Sequence, residues 1–403
     1  MSAVSPAVTL GLERALGRVR EGRRPDAAEA TALLGTPAER LPALLAAARA
    51  VRAEGHGQII TFSAKVFVPL TTLCRDYCGY CTFRKDPGDP GAYTLSPDEV
   101  LALAGAGERL GAKEALFSLG DKPEATFPEH REFLRRMGVR TTLQYLRQVC
   151  ETVLAHSTLL PHANPGLMAE RDLAALREVN VSMGIMLEST SERLLGPDLA
   201  HDRAPDKVPG RRLRTIALAG KLQIPFTTGI LIGIGETPAE RVASLLAIRE
   251  LHERHGHIQE VIVQNFRSKG AIRMRSWPDP TAADLLATVA VARLLLGPHM
   301  NIQAPPNLSA QGYGRLPEAG LNDWGGISPL TPDHINPERP WPLIRELRAA
   351  TEAAGGELRE RLAVYPEFAR RPEFLDERLR GRVAAFLDGD GRVRPELERW
   401  RQW

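Results

Sequence analysis

Three cysteines of this chain stand within eight residues, in the string LCRDYCGYCTFRK, at Cys74, Cys78 and Cys81. The spacing is C-x3-C-x2-C. Thiolates are soft ligands, suited to zinc or to iron–sulfur clusters. A structural zinc ion wants four nitrogen or sulfur ligands. The fourth cysteine, Cys150, lies far along the chain in an amphipathic helical pattern and reads as a small buried hydrophobe. Three thiolates on one short loop therefore suggest a four-iron cluster with one iron left open, able to take a substrate or cofactor directly. A zinc-binding loop is the alternative.

The rest of the chain has to position that loop. It has 403 residues, 43% hydrophobic and 25% charged, which is ordinary globular composition. A chain of that length buries about three quarters of its unfolded surface. Lys+Arg number 52 against 49 Asp+Glu, a net charge of +3, too balanced for a nucleic-acid binder. Four cysteines exclude a disulfide scaffold. No signal-peptide core opens the chain and no window has the apolar length of a membrane span, so the expectation is a cytoplasmic protein without membrane attachment.

Short β-branched and apolar runs at 59–68, 114–120, 157–164, 181–188, 225–235, 260–266, 301–307 and 320–327 read as strands. Helical patterns at 96–111, 142–155, 166–179, 211–222, 237–255 and 280–296 separate them, several opening on Ser-Pro or Thr-Pro, an N-cap with proline at the first helical position. This alternation predicts an α/β fold, a parallel (β/α)₈ or near-complete barrel. The expected organisation is a helical extension over 1–56, the barrel over 57–336, and a second, solvated helical extension over 337–403. The run LHERHGH, with His252, His255 and His257, lacks the HExxH metal pattern and precedes a strand, so it reads as a solvated helix end.

The cysteine spacing, Tyr80 just before the third cysteine, and the placement after the first barrel strand together resemble the radical S-adenosylmethionine (SAM) superfamily. That resemblance implies one [4Fe-4S] cluster on Cys74, Cys78 and Cys81, with SAM chelated to the open iron and an external electron donor. The chemistry implied is a 5′-deoxyadenosyl radical, kept from quenching by a dry barrel cavity. It also implies further cofactor contacts at the strand ends. Gly120 and Asp121 of SLGDKPE take the place of the family's Gly-Gly-Glu-like turn that holds the SAM amino group, with Glu124 close by and Asp121 replacing the second glycine. Glu188 of GIMLEST is placed for ribose hydroxyls. GILIGIGET fits G-x-I-x-G-x-x-E at Gly229, Gly233 and Glu236, with Leu231 for the isoleucine. Read without the resemblance, Gly-Asp is a plain turn signal, Glu188 a rim carboxylate, and Glu236 an acid beside a helix start.

The strings FSLGDKPE, LPHANPGLM, EVIVQNFRSK, IQAPPNLS and DWGGISPLTPDHINPERPWP narrow the resemblance to the CofG-type family of deazaflavin-forming synthases, over about residues 70–342. SKGAIRM after QNFR departs from the family pattern. The family's substrate is 5-amino-5-(4-hydroxybenzyl)-6-(D-ribitylimino)-5,6-dihydrouracil. Radical ring closure with loss of ammonia gives 7,8-didemethyl-8-hydroxy-5-deazariboflavin, with methionine and 5′-deoxyadenosine as co-products. A CofH-type partner subunit makes the substrate from a tyrosine-derived 4-hydroxybenzyl group and 5-amino-6-(D-ribitylamino)uracil, and that transferase is the alternative reading. A single cysteine triplet implies that this chain carries one of the two half-reactions. The expected strand ends also carry His162, Asn164, Gln264, Asn265, Gln303, Asn307, Asn322 and Asp323, hydrogen-bonding groups that suit a uracil and a ribityl chain, although such residues also cap turns. His162 is the candidate for proton transfer.

Overall fold

The computed structural model describes residues 13–19, 21–310 and 312–402. All eight expected strands are present: β1 (Ile59–Thr71), β2 (Glu114–Leu119), β3 (Leu160–Asn164), β4 (Ser182–Gly184), β5 (Phe226–Ile232), β6 (Ile258–Asn265), β7 (Ile302–Gln303) and β8 (Asp323–Ile327). Each pairs in parallel with the next, and β8 pairs back onto β1, so the barrel is closed.

Side-chain alternation sorts each strand between lumen and shell. In β1, Ile60, Phe62, Val66 and Val68 are fully buried in the core. Thr61, Ser63, Lys65 and Phe67 take the other phase and face the lumen, as do their register partners Glu114 and Leu116 on β2 and His162 on β3. Helices cover the outside and start on explicit caps. Ser96 with Glu99, Thr141 with Gln144, Thr237 with Glu240 and Thr281 with Asp284 each form a reciprocal capping box. Cys150, fully buried on the helix Thr142–His156, belongs to the main core as expected.

Two expectations need correction. After Pro337 the chain is not only solvated helix. Glu357–Glu360 forms β9, which pairs in parallel with β1 at Ile59–Phe62. The following residues, Arg361 to Tyr365, are buried and cross the N-terminal end of the barrel. Ser182 Oγ and Gln259 Nε2 donate to the Ala363 carbonyl at 2.8 and 3.0 Å, and Tyr365 N donates to Gln259 Oε1 at 3.1 Å. Leu362, Val364, Phe368, Phe374, Leu379 and Val383 then form a second core with Leu160 and Val181 at the bottoms of β3 and β4. The charges around this apolar run hid it from a composition reading. The second correction concerns His257: it is not solvated but fully buried, with Nε2 at 2.9 Å from the Ile216 carbonyl.

Candidate active site

The loop after β1 leaves the C-terminal face of the barrel and is held there by backbone bonds. Tyr77 N donates to Arg203 O at 2.8 Å, Gly79 N to Ala200 O at 2.7 Å, and Met274 N to Gly79 O at 3.0 Å. Two later loops thus clamp the cysteine segment. Cys74, Cys78 and Cys81 all line one cavity of about 250 Å³ over the barrel mouth. Burial pushes the Cys74 thiol up to about 12 and Cys78 well above its ordinary value. Thiols so disfavoured as free anions gain from a metal that takes them as thiolates.

Gly120 belongs to this wall by necessity, since a Cβ there would stand 2.0 Å from the Leu73 carbonyl and 2.5 Å from Cys74 Cβ. Asp121 N donates to Cys74 Sγ at 3.1 Å. The Asp121 carboxylate accepts from Leu167 N through Oδ2 at 3.0 Å, while buried Oδ1 has no hydrogen-bond partner and faces Lys122 Nζ at 3.6 Å. Burial raises this acid to about 6. Gly166, at φ +84°, gives it room: a Cβ there would meet Oδ2 at 2.3 Å.

Glu188 lies across the cavity in the left-handed region, φ +65°. Its carboxylate is crowded with donors. Tyr80 Oη, His201 Nε2 at 3.0 Å and Lys207 Nζ all reach it, and Arg212 lies 4.0 Å away. Despite burial, Lys207 and the other cations hold it well below the usual carboxylate range. Tyr80, Glu188, Lys207 and Arg212 all line the cavity. The sequence reading found Tyr80 and Glu188 but missed Lys207 and Arg212, which sit on the segment after the long β4 loop, where no motif marks them.

The remaining expected contacts divide. Asn164, Gln264 and Asn265 line the cavity, and Asn265 Oδ1 is buried without a partner. Gly229, Gly233 and Glu236 do not line it. A Cβ at Gly229 would stand 2.2 Å from the Ile262 carbonyl, and Glu236 accepts from Gly233 N, Ile234 N and Arg241, so this string shapes the β5 turn. Glu124 binds Thr142 N and Oγ1 at a helix start. Asn322 and Asp323 open β8 at the opposite face. Asn322 accepts from Arg293 at 2.7 Å, and Asp323 accepts both arms of Arg361 at 2.7 and 2.8 Å. Asn307 Nδ2 donates to Asp333 Oδ2 at 2.9 Å.

His162 sits in the lumen below the cavity, one register step under Asn164. Its Nδ1 is 2.7 Å from Ser182 Oγ, whose proton goes to Ala363 O. Nδ1 therefore carries the hydrogen, and Nε2 is left as an acceptor. Burial lowers the imidazole to about 4, so it is neutral.

The donor set fits a cluster with SAM better than a zinc ion. A tetrahedral zinc with bonds of about 2.3 Å draws its sulfurs to roughly 3.8 Å from one another. Among the described residues, the only group of three or more His, Cys, Asp or Glu donors all within 4.8 Å of one another is the carboxylates of Asp76, Asp121 and Asp206. The three thiols are spread wider, as ligands to separate irons are. Beside them stand an orphaned carboxylate oxygen suited to an ammonium and two cations suited to a carboxylate.

The radical SAM superfamily profile matches residues 68–248. An FO synthase of Streptomyces coelicolor is 52% identical over 94% of this chain and 45% of its own length. The 7,8-didemethyl-8-hydroxy-5-deazariboflavin synthase of Methanopyrus kandleri is 50% identical over 78% of this chain and 93% of its own length. The chain thus spans about half the length of the FO synthases it matches. Among solved structures, the FeFe-hydrogenase maturase HydG of Carboxydothermus hydrogenoformans superposes with a TM-score of 0.71 at 20% identity, covering 97% of this chain and 88% of that one. Methylornithine synthase gives 0.67 at 19% identity, covering 85% and 96%. These two likenesses concern the fold.

Proposed function

The chain belongs to the 7,8-didemethyl-8-hydroxy-5-deazariboflavin synthase family of radical SAM enzymes, and from that premise we propose that it carries the CofG-type, ring-closing half-reaction. The substrate is 5-amino-5-(4-hydroxybenzyl)-6-(D-ribitylimino)-5,6-dihydrouracil, and ammonia is released as the deazaflavin forms. The observation that carries this reading is a cavity whose cofactor wall is charged and whose opposite wall, Asn164, Gln264 and Asn265, is neutral and amide-rich. An uncharged pyrimidine with a sugar-alcohol chain needs such a wall. The near-complete overlap with the Methanopyrus kandleri relative supports the same half-reaction.

The cluster and SAM, when bound, supply the 5′-deoxyadenosyl radical that abstracts hydrogen. Cys74, Cys78 and Cys81 hold the cluster. Asp121 takes the SAM amino group, and Lys207 with Arg212 its carboxylate, leaving Glu188 and Tyr80 toward the ribose. His162 offers its unprotonated Nε2 to a proton released as the product ring becomes aromatic. A CofH-type partner supplies the substrate and an external reductant the electron; the protein works in the cytoplasm.

The test is anaerobic reconstitution with iron, sulfide, reductant, SAM and the dihydrouracil substrate. The expected result is a fluorescent deazaflavin formed together with 5′-deoxyadenosine. Conversion of tyrosine and 5-amino-6-(D-ribitylamino)uracil instead would assign the transferase half, and bound zinc without iron or sulfide would remove the enzyme reading altogether.

A further inference from the structure

Below the cofactor cavity, the lumen holds two polar groups that the fold leaves unused. Lys65 on β1 points into the barrel and stays half-buried there, as does Ile262 on β6, so the lumen is not packed solid at this level. The Lys65 ammonium has no hydrogen bond and no carboxylate within 4.0 Å among the described residues. It lies 4.6 Å from the centre of the Phe67 ring. Glu114 on β2, Glu260 on β6 and Asp323 on β8 surround it with Arg361 from the floor. Each of those acids already serves another group: Ser63 donates to Glu114, Thr227 to Glu260, and Arg361 to Asp323. Burial lowers the lysine from its usual value.

The second group is Gln303 on β7. Its Oε1 is buried without a partner. β8 runs between the two and has glycine beside both. A Cβ at Gly326 would stand 1.9 Å from Lys65 Nζ, and one at Gly325, φ +77°, would stand 2.2 Å from Gln303 Nε2. Two adjacent glycines thus leave space that a free ammonium and a free amide occupy. Burying polar groups unpaired is costly, and a ligand with the complementary pattern removes that cost.

We propose that Lys65 and Gln303 form the subsite that reads the pyrimidinedione edge of the substrate, with the Lys65 ammonium donating to a ring carbonyl and Gln303 Oε1 accepting from the adjacent ring N–H. The subsite takes uncharged cyclic imides and ureides as a class; its link to this substrate rests on the ring-closing reading above. It places the ring at the depth of His162 Nε2, beneath the cofactor wall.

Steady-state kinetics of the reconstituted enzyme test this. Lys65→Met is expected to raise the KM for the dihydrouracil substrate about ten-fold or more, and Gln303→Leu by a smaller factor, with SAM cleavage in the absence of substrate unchanged. An analogue methylated at the ring nitrogen is expected to bind wild type about ten-fold more weakly than the parent ring, and Gln303→Leu equally to it. Should Lys65→Met fail to fold, Gly326→Ala carries the same test, because its Cβ displaces the ammonium. Unchanged KM in the variants of an active enzyme overturns the subsite. A wild-type enzyme that cleaves SAM but never converts the dihydrouracil overturns the reaction assignment instead.

Discussion

The two ends of this barrel handle charge in opposite ways. At the C-terminal rim, polar atoms are left over: Asp121 Oδ1 and Asn265 Oδ1 are buried without hydrogen-bond partners, and the three thiols line the same cavity. At the N-terminal floor, Arg361 spends its guanidinium on Asp323, Glu260 and the Leu362 carbonyl and stacks 3.8 Å from the Tyr365 ring. The rim turns its unspent atoms toward a cavity, whereas the floor, where Tyr365 Oη is also without a hydrogen-bond partner, lines none of that cavity and spends its guanidinium internally. Both are ringed with ionisable residues, so charge alone does not mark a site; unspent hydrogen-bonding capacity facing a cavity does.

Removing the rim's three cysteines is the most severe way to test that contrast. Cys74→Ala, Cys78→Ala or Cys81→Ala is expected to lower SAM cleavage roughly a thousand-fold or more, measured as 5′-deoxyadenosine, because an iron of the proposed cluster would lose its ligand. Cys150→Ala, in the core, is expected to leave it unchanged. Breaking the floor has a different signature. Arg361→Leu strands Asp323 as a buried unpaired acid and is expected to cost about 3–5 kcal/mol of stability, read by chemical denaturation. Full stability in that variant would show that the Arg361–Asp323 pairing does not hold the floor together. Asp121→Asn is milder and local, with SAM affinity falling about 10–100-fold at wild-type stability in equilibrium binding to the reconstituted enzyme.

The smallest effect per group is set by pH. His130, His162 and His257 are held neutral by burial, at about 4, 4 and 3. Their folded-state values lie below the unfolded value of about 6.5, so the unfolded chain binds more protons between those limits. Stability is therefore full above about pH 6.5 and falls as pH drops toward 4, by roughly 1.4 kcal/mol per unit for each histidine. Thermal melts at pH 7 and pH 5.5 check this, and His257→Gln is expected to flatten the dependence.

The strand–helix alternation and the cysteine loop were legible because each rests on local pattern: eight apolar runs, capped helix starts and a fixed ligand spacing. Lys207 and Arg212 were not legible. They reach Glu188 only because the segment before the helix Pro209–Lys221 folds over the mouth, and nothing local in DKVPGRR records that. GILIGIGET shows the converse, a motif whose local geometry has its own explanation although its Leu231 lines the cavity. Its glycines and Glu236 fit a cofactor pattern, yet the close approach of β6 and the β5 turn account for them. Asn322 and Asp323 were taken for a strand end, but β8 starts at Asp323, which puts them on the floor.

The floor has a temporal side as well. Ile59–Phe62 on β1 meets Glu357–Glu360 on β9, partners separated by most of the barrel in sequence. Contacts of such long range form late, since the chain between them must first be ordered. While a nascent chain still lacks residues 357–365, the bottoms of β3 and β4 at Leu160 and Val181 have no apolar cover, and Asp323 waits for Arg361. The half-made barrel is thus at its stickiest just before its last strand arrives, which makes the segment after Glu357 the step at which folding and aggregation compete.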